Sequence, residues 1–364
     1  MENKLMKLKK KDMIYMVFIF LSPVLILILI EFAFRLFLPP YTRSNPSEGI
    51  YLPDKTFGHR MVPGFTGRRK HEEFDIEIKI NSFGMREEEV AKDKNYFTIL
   101  NIGDSFTYGY GLKREETIAY KIGSDLAGHT LDKKRIRSLN AGVTGYGSLN
   151  SFYFLKELFN ELEPELAIYY LFIGNDATDD LALLAGKNKD IHLNKNYGQA
   201  AKDFLQNNSA FYDFIFKRLK NSSALSRLFL TTGIRGVQSY LYKENDSFYN
   251  MSFGLLKENV KKMQGYLRDK NAGLIVVIIP EDIQVLYSDI LRGKKLNPVK
   301  PQDDITSFLK NNNIHYIDLL PDLQKEGRQL YFNFDSHFNP QGSQFVAKIV
   351  SDYILLHKNS FSAN

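Results

Sequence analysis

The sequence predicts an α/β protein: a three-layer α/β/α sandwich on a five-stranded parallel sheet, preceded by one transmembrane helix. Three observations carry this. Short, near-continuously apolar runs recur along the chain, as strands buried on both faces require. Segments of helical period lie between most of them, which is the rhythm of a parallel, doubly wound sheet. Ahead of both, an uncharged apolar stretch near the amino terminus is long enough to cross a bilayer.

That stretch, Met13 to Ile30, holds no charged residue over 18 positions, and apolar residues continue past Glu31 and Arg35 to Leu38. A bilayer core needs about 20 apolar residues as helix. Glu31 and Arg35 stand four apart, so they can pair on one helix face near the interface. Pro23 is tolerated in a membrane helix, and Pro39-Pro40 ends it. Lys4, Lys7, Lys9, Lys10 and Lys11 precede the span, which predicts a cytoplasmic amino terminus and everything after Pro40 outside, periplasmic or extracellular. A cleaved signal peptide fits less well, because the apolar core is longer than about 15 residues and no small-x-small site follows it.

Residues 41–95 read as an extended linker with hairpin character. Within them Phe74 to Asn81 alternates at period two, the pattern of a half-exposed strand, and Asn81-Ser82-Phe83-Gly84 is a turn. The parallel strands are predicted at Phe97–Ile102, Ile136–Ala141, Leu166–Ile173, Leu274–Ile279 and Ile314–Leu319. Helices are predicted at Ile118–Ala127, Leu149–Leu162, Leu255–Lys270 and Asp303–Asn311. A last one starts at Asn339-Pro340, a capping residue followed by a first-turn proline, and runs to about His357. Residues 181–250 break the rhythm and read as an inserted helical cap on a domain spanning 96–357, with helical spacing at Phe211–Leu219 and Leu225–Phe229.

Of 364 residues, 25% are charged and 44% hydrophobic, the balance of a folded protein. There is no cysteine, so no disulfide and no thiolate metal site. The net charge of +6 invites a nucleic-acid reading, but residues 1–40 carry +3 of it and the remainder is close to neutral for its size. No nucleic acid is expected as a partner, and neither a cofactor nor a metal ion is called for.

Four short blocks fall at or after predicted strand ends. Gly103-Asp104-Ser105 places a serine where strand gives way to helix, the position at which α/β folds expose a nucleophile. Asn140-Ala-Gly-Val-Thr-Gly145 offers a glycine whose amide can approach an oxyanion. Gly174-Asn175-Asp176 offers a side-chain amide for the same oxyanion. Asp335-Ser336-His337 offers a base with a carboxylate two residues ahead. Singly each is an ordinary turn or cap; the other histidines, His59, His71, His129, His192, His315 and His357, read as surface or core residues.

In this order, the blocks resemble the SGNH (GDSL-like) hydrolase superfamily over residues about 96–357, and the anchor together with Ile80-Asn-Ser-Phe-Gly-Met-Arg86 and Gly103-Asp-Ser-Phe-Thr-Tyr-Gly109 resembles its membrane-anchored bacterial cell-envelope members. The resemblance implies the flavodoxin-like SGNH fold and a serine esterase. It matches Ser105 to the nucleophile and first oxyanion donor, Gly145 and Asn175 to the other two donors, and His337 to the base. The commonest pattern, Asp-x-x-His, would put the acid at 334, which is Phe334. Asp335 stands in the shorter Asp-x-His spacing, an arrangement that related polysaccharide O-acetyltransferases carry. Asp104 and Asp176 are expected to hold their loops. Tyr108, Tyr110 and Tyr146 suit either sugar stacking or core packing.

Three functions follow. The first is an anchored esterase removing O-acyl, notably acetyl, groups from carbohydrate. The second is a polysaccharide O-acetyltransferase with the same residues and a membrane acyltransferase as donor partner. The third is a catalytically silent glycan-binding protein.

Overall fold

The computed structural model describes residues 10–37, 49–187, 204–205, 208–233 and 236–361. Helix α1 (Lys10–Phe37) contains a 20-residue window, Phe18–Phe37, of mean hydropathy 2.3, none of whose residues is fully buried. Glu31 and Arg35 pair across one turn at 2.6 Å.

Two small antiparallel hairpins follow. Strand β1 (Tyr51–Asp54) pairs with β2 (Gly58–Met61), and β3 (Thr66–Lys70) with β4 (Asp75–Lys79). These residues do not form a linker. Ile50, Phe57, Met61, Phe74, Ile76, Ile78 and Met85 are buried in the same core as the main sheet. The run Asn81 to Arg86 explains itself locally. The Asn81 side chain accepts from the amides of Phe83 and Met85 at 3.0 and 2.9 Å, closing the turn that its sequence announces. Arg86 is thereby delivered into the interior.

The main sheet holds β5 (Tyr96–Gly103), β7 (Lys134–Gly142), β8 (Leu166–Phe172), β9 (Gly273–Ile279) and β10 (His315–Asp318), all parallel, in the order β10-β9-β8-β5-β7. A two-residue antiparallel strand, β6 (Thr130–Leu131), adds an edge beside β7 that the sequence reading lacked. Counted from β5, the parallel strands run 2-1-3-4-5, the flavodoxin-like arrangement. Phe97 and Ile99 face one layer and Leu100 and Ile102 the other, as alternation in a strand buried on both sides demands.

On one face lie α3 (Ile118–Asp125) and α13 (Pro340–Leu356), burying Ile118, Ile122, Val346, Val350 and Ile354. On the other lie α4 (Ser148–Leu162) and α8 (Ser247–Asp269), burying Leu155, Leu158, Phe253, Leu256, Val260 and Met263. Helix α8 begins eight residues before the predicted start, because the Asp246 side chain caps it through the amide of Tyr249 at 3.1 Å. A further helix, α11 (Lys300–Asn311), covers the region predicted from Asp303.

The cap region holds α5 (Asp176–Lys187), α6 (Ala210–Asn221) and α7 (Ser223–Thr232). The first starts earlier than the predicted insertion, directly from the loop after β8. Within the predicted cap, residues 188–203, 206–207 and 234–235 lie outside the described residues.

Candidate active site

Register fixes where the blocks meet. Gly103 of β5 stands opposite Gly142 of β7 and Tyr170 of β8, so β5 and β7 end at one level and β8 runs two residues further. The chain leaves this edge toward opposite sides of β5, which opens the crevice where doubly wound folds bind ligands.

Ser105 opens α2 (Ser105–Tyr108), a single turn. The buried Asp104 carboxylate caps that turn by accepting from the amide of Phe106 at 2.9 Å. Gly142 has no room for a side chain: a Cβ there would stand 2.2 Å from the Tyr108 amide nitrogen. The strand end and the serine turn are packed backbone to backbone.

His337 arrives from the other end of the chain. Its segment is held by a bridge between Tyr331 and Phe338, with the Phe332 amide donating to the His337 carbonyl at 3.0 Å. Nε2 lies 2.7 Å from Ser105 Oγ. Asp335 Oδ1 accepts from the His337 backbone amide at 2.8 Å and also from its ring Nδ1–H. The carboxylate folds back over two residues as an Asx turn, so the short Asp-x-His spacing reaches. With Nδ1–H bound to Asp335, Nε2 presents its lone pair to the serine hydroxyl. Phe106 and Tyr110 flank the imidazole, each with its ring centroid 4.8 Å away.

The loop after β7 carries Gly145 at φ +76°, the left-handed region that favours glycine. In the loop after β8, Asn175 Nδ2 donates to Asp179 Oδ2 at 2.9 Å. Asp179 thus orients the amide. The structure therefore brings Ser105, Gly145, Asn175, His337 and Asp335 to one sheet edge. Asp104 and Asp176 hold loops, the latter by accepting from the Tyr169 hydroxyl and the Phe172 amide. Tyr108 and Tyr146 are fully buried and unavailable to a sugar; Tyr110 stacks on the imidazole instead.

Sequence reasoning missed what the hairpins supply. His59 of β2 lies beside the second block: its Nε2–H donates to the Thr144 carbonyl at 2.8 Å, and its Cε1 would stand 3.6 Å from a Cβ on Gly145. The acceptor is a carbonyl, so the proton is on Nε2. Tyr51 of β1 bonds the Thr144 hydroxyl, and the Tyr146 hydroxyl donates back to the His59 carbonyl at 2.8 Å. Asp179 was equally invisible, since its partner is set by one turn of a helix that no local signal announced.

Several carboxylic acids are buried beneath this edge. Burial pushes Asp179 up to about 7, with the Asp104 and Asp180 carboxylates adding to the rise. Asp104 and Asp180 rise to about 6, each chiefly through burial. A folded value above the unfolded one means that the native state holds the extra proton. The associated stability is full below about pH 4 and is lost as pH climbs through about 7. The melting temperature should therefore fall between pH 5 and pH 8. In Asp179→Asn, which keeps an acceptor for Asn175, that fall should be visibly shallower. Equal slopes in the two proteins by calorimetry would refute the assignment.

Residues 237–363 match the model of the SGNH hydrolase-like domain of the acetyltransferase AlgX. That range includes Asp335 and His337 and excludes Ser105, Gly145 and Asn175. No protein of curated function matches the chain. Solved structures similar to it include an acetylxylan esterase from Geobacillus stearothermophilus, at 11% identity and TM-score 0.40 over 76% of this chain and 100% of that one. Another is a psychrotrophic esterase from Pseudoalteromonas sp., at 15% identity and TM-score 0.39 over 72% of this chain and 99% of that one.

Proposed function

We propose that this SGNH hydrolase-like chain is a serine acyl-transfer enzyme held by its amino-terminal helix in the cytoplasmic membrane with its catalytic domain outside, acting on O-acyl, notably acetyl, esters of carbohydrate. The observation that carries the reading is the line Asp335, His337, Ser105, with Nε2 at 2.7 Å from Oγ. It is the geometry of an activated nucleophile with an oriented base.

In the reaction, Nε2 takes the Ser105 proton as Oγ attacks the acyl carbonyl carbon. The amides of Ser105 and Gly145 and the Asn175 side chain receive the developing oxyanion. The imidazolium then gives its proton to the departing sugar oxygen, leaving an acyl-serine. Water, deprotonated by the same imidazole, releases the acid. Asp335 keeps the tautomer and stabilises the imidazolium without taking its proton. Anchoring rests on α1, whose apolar window can span a bilayer with the lysine-rich end inside.

A second reading is favoured by the AlgX match: a sugar hydroxyl replaces water as acceptor, and a membrane acyltransferase loads the serine. One experiment serves both. The full chain in detergent is treated with a fluorophosphonate and weighed, then given a chromogenic acetyl ester with and without acceptor oligosaccharide. A single adduct at Ser105 with acetate release supports the esterase; acetyl appearing on the oligosaccharide supports transfer. No adduct on folded protein rejects both.

A further inference from the structure

Glu31 lies at the far end of the uncharged stretch of α1, about 27 Å along the helix from Met13 at about 1.5 Å per residue. That is roughly the thickness of a hydrocarbon core, so Glu31 belongs at the boundary between chains and headgroups. A carboxylate at that depth needs partners, and the structure supplies them from a segment 178 residues away. Glu31 accepts from the Ser209 hydroxyl at 2.8 Å and from the amides of Ala210 and Phe211 at 2.9 and 3.1 Å. Its own Arg35 donates to the Asn208 carbonyl. Phe34 meets Phe211 and Phe214 edge to ring at 5.2 and 5.1 Å. The first turn of α6 is thus capped by the anchor helix and must share its depth.

One turn further back stand Phe204 and Leu205, 65% and 42% exposed, with the Phe204 carbonyl accepting from Asn208 at 2.8 Å. Two large apolar side chains held open to solvent beside the end of an apolar span call for an apolar cover. Continuity with the anchor names it.

We infer that Phe204, Leu205 and the start of α6 form a second membrane contact, a shelf that lies in the headgroup region of the lipid bilayer and is clamped to the anchor through Glu31. The inference rests on the reading of α1 as a membrane anchor. Its consequence reaches the site. At the other end of α6, Arg218 pairs with Glu72 and lies over the Phe334 ring at 5.3 Å. The neighbouring Glu73 accepts from the amides of Asn333 and Phe334 at 2.6 and 2.7 Å, immediately before Asp335. The shelf therefore holds the Ser105–His337 edge near the membrane surface.

The chain contains no tryptophan, so single substitutions report without background. Phe204→Trp, with Phe20→Trp in the anchor and Leu356→Trp at the opposite edge of the sheet as references, is placed in phosphatidylcholine vesicles carrying bromine at shallow or deep acyl positions. The expected result is quenching of the residue 204 reporter, stronger with shallow bromine, quenching of the residue 20 reporter, and none at 356. Adding Glu31→Gln should cut the residue 204 quenching at least twofold. An unquenched 204 reporter beside a quenched 20 reporter overturns the shelf and leaves the anchor standing. An unquenched 20 reporter overturns the anchor, and the shelf with it. Unchanged quenching with Glu31→Gln overturns the clamp.

Discussion

Ser105→Ala and His337→Ala should each lower kcat for acyl-ester turnover by a factor on the order of 10⁴–10⁶, and the double variant should be scarcely worse than either. The reason is geometric. Nε2 reaches Oγ at 2.7 Å, so removing the serine leaves a base with nothing to activate, and removing the base leaves a hydroxyl at its ordinary, unreactive acidity. Groups that act on one proton fail together. Asn175→Ala acts on a different group, the oxyanion, and should cost about 10²–10³ on its own. Combined with Ser105→Ala it acts only on the small residual turnover by direct attack of water, whose oxyanion the same amide meets. Steady-state kinetics of the purified full chain, with folding checked by circular dichroism, measures all of these. A His337→Ala enzyme retaining a tenth of parental kcat would remove His337 from the base role.

Arg86→Met should destabilise the protein by about 1–3 kcal/mol and weaken turnover with it. Arg86 is fully buried, and among the described residues no carboxylate pairs with it. It is held instead by carbonyls: Nη1 donates to Tyr108 and Gly109 at 3.0 and 2.7 Å, and Nη2 donates to Leu112. Its guanidinium also lies 4.7 Å over the Tyr108 ring. These carbonyls belong to the chain directly after the serine turn. Methionine fills the space but leaves the Leu112 carbonyl without its donor, while Tyr108 keeps the Asn140 side chain at 3.3 Å and Gly109 the Leu112 amide at 3.1 Å. An unmet acceptor costs about 1–3 kcal/mol, and relief of the buried charge offsets part of the loss. Arg86→Lys keeps the charge without the fork and should fall between the two. Denaturant unfolding of the full chain is the measure. A methionine variant within about 0.5 kcal/mol of the parent would show that the loop does not depend on this side chain.

The same residue shows how sequence and structure divide the work. The run Ile80 to Arg86 was noticeable as a string, and Asn81 with Gly84 marked a turn. What Arg86 does depends on a loop 22 residues further on, which no local pattern encodes. The strands were legible because burial on both faces forces continuous apolar runs. All five parallel strands begin and end within two residues of their expected limits. Helix α5 was not legible, since Asp176, Asp179 and Asp180 spoil its apolar period while serving the site.

By itself, then, the sequence determined the parallel α/β architecture, the apolar amino-terminal helix, the placing of Ser105, Gly145 and Asn175 after strand ends, and that of His337 before the last helix, because each follows from short-range periodicity and turn chemistry. Only the tertiary structure decided that Asp335 reaches across its short spacing, that Asp179 aims Asn175, that His59 and Tyr51 brace the glycine loop, and that Glu31 caps a helix far along the chain. Those contacts depend on side-chain direction and on which surfaces meet after collapse. Such information is spread over the whole fold and has no period to read.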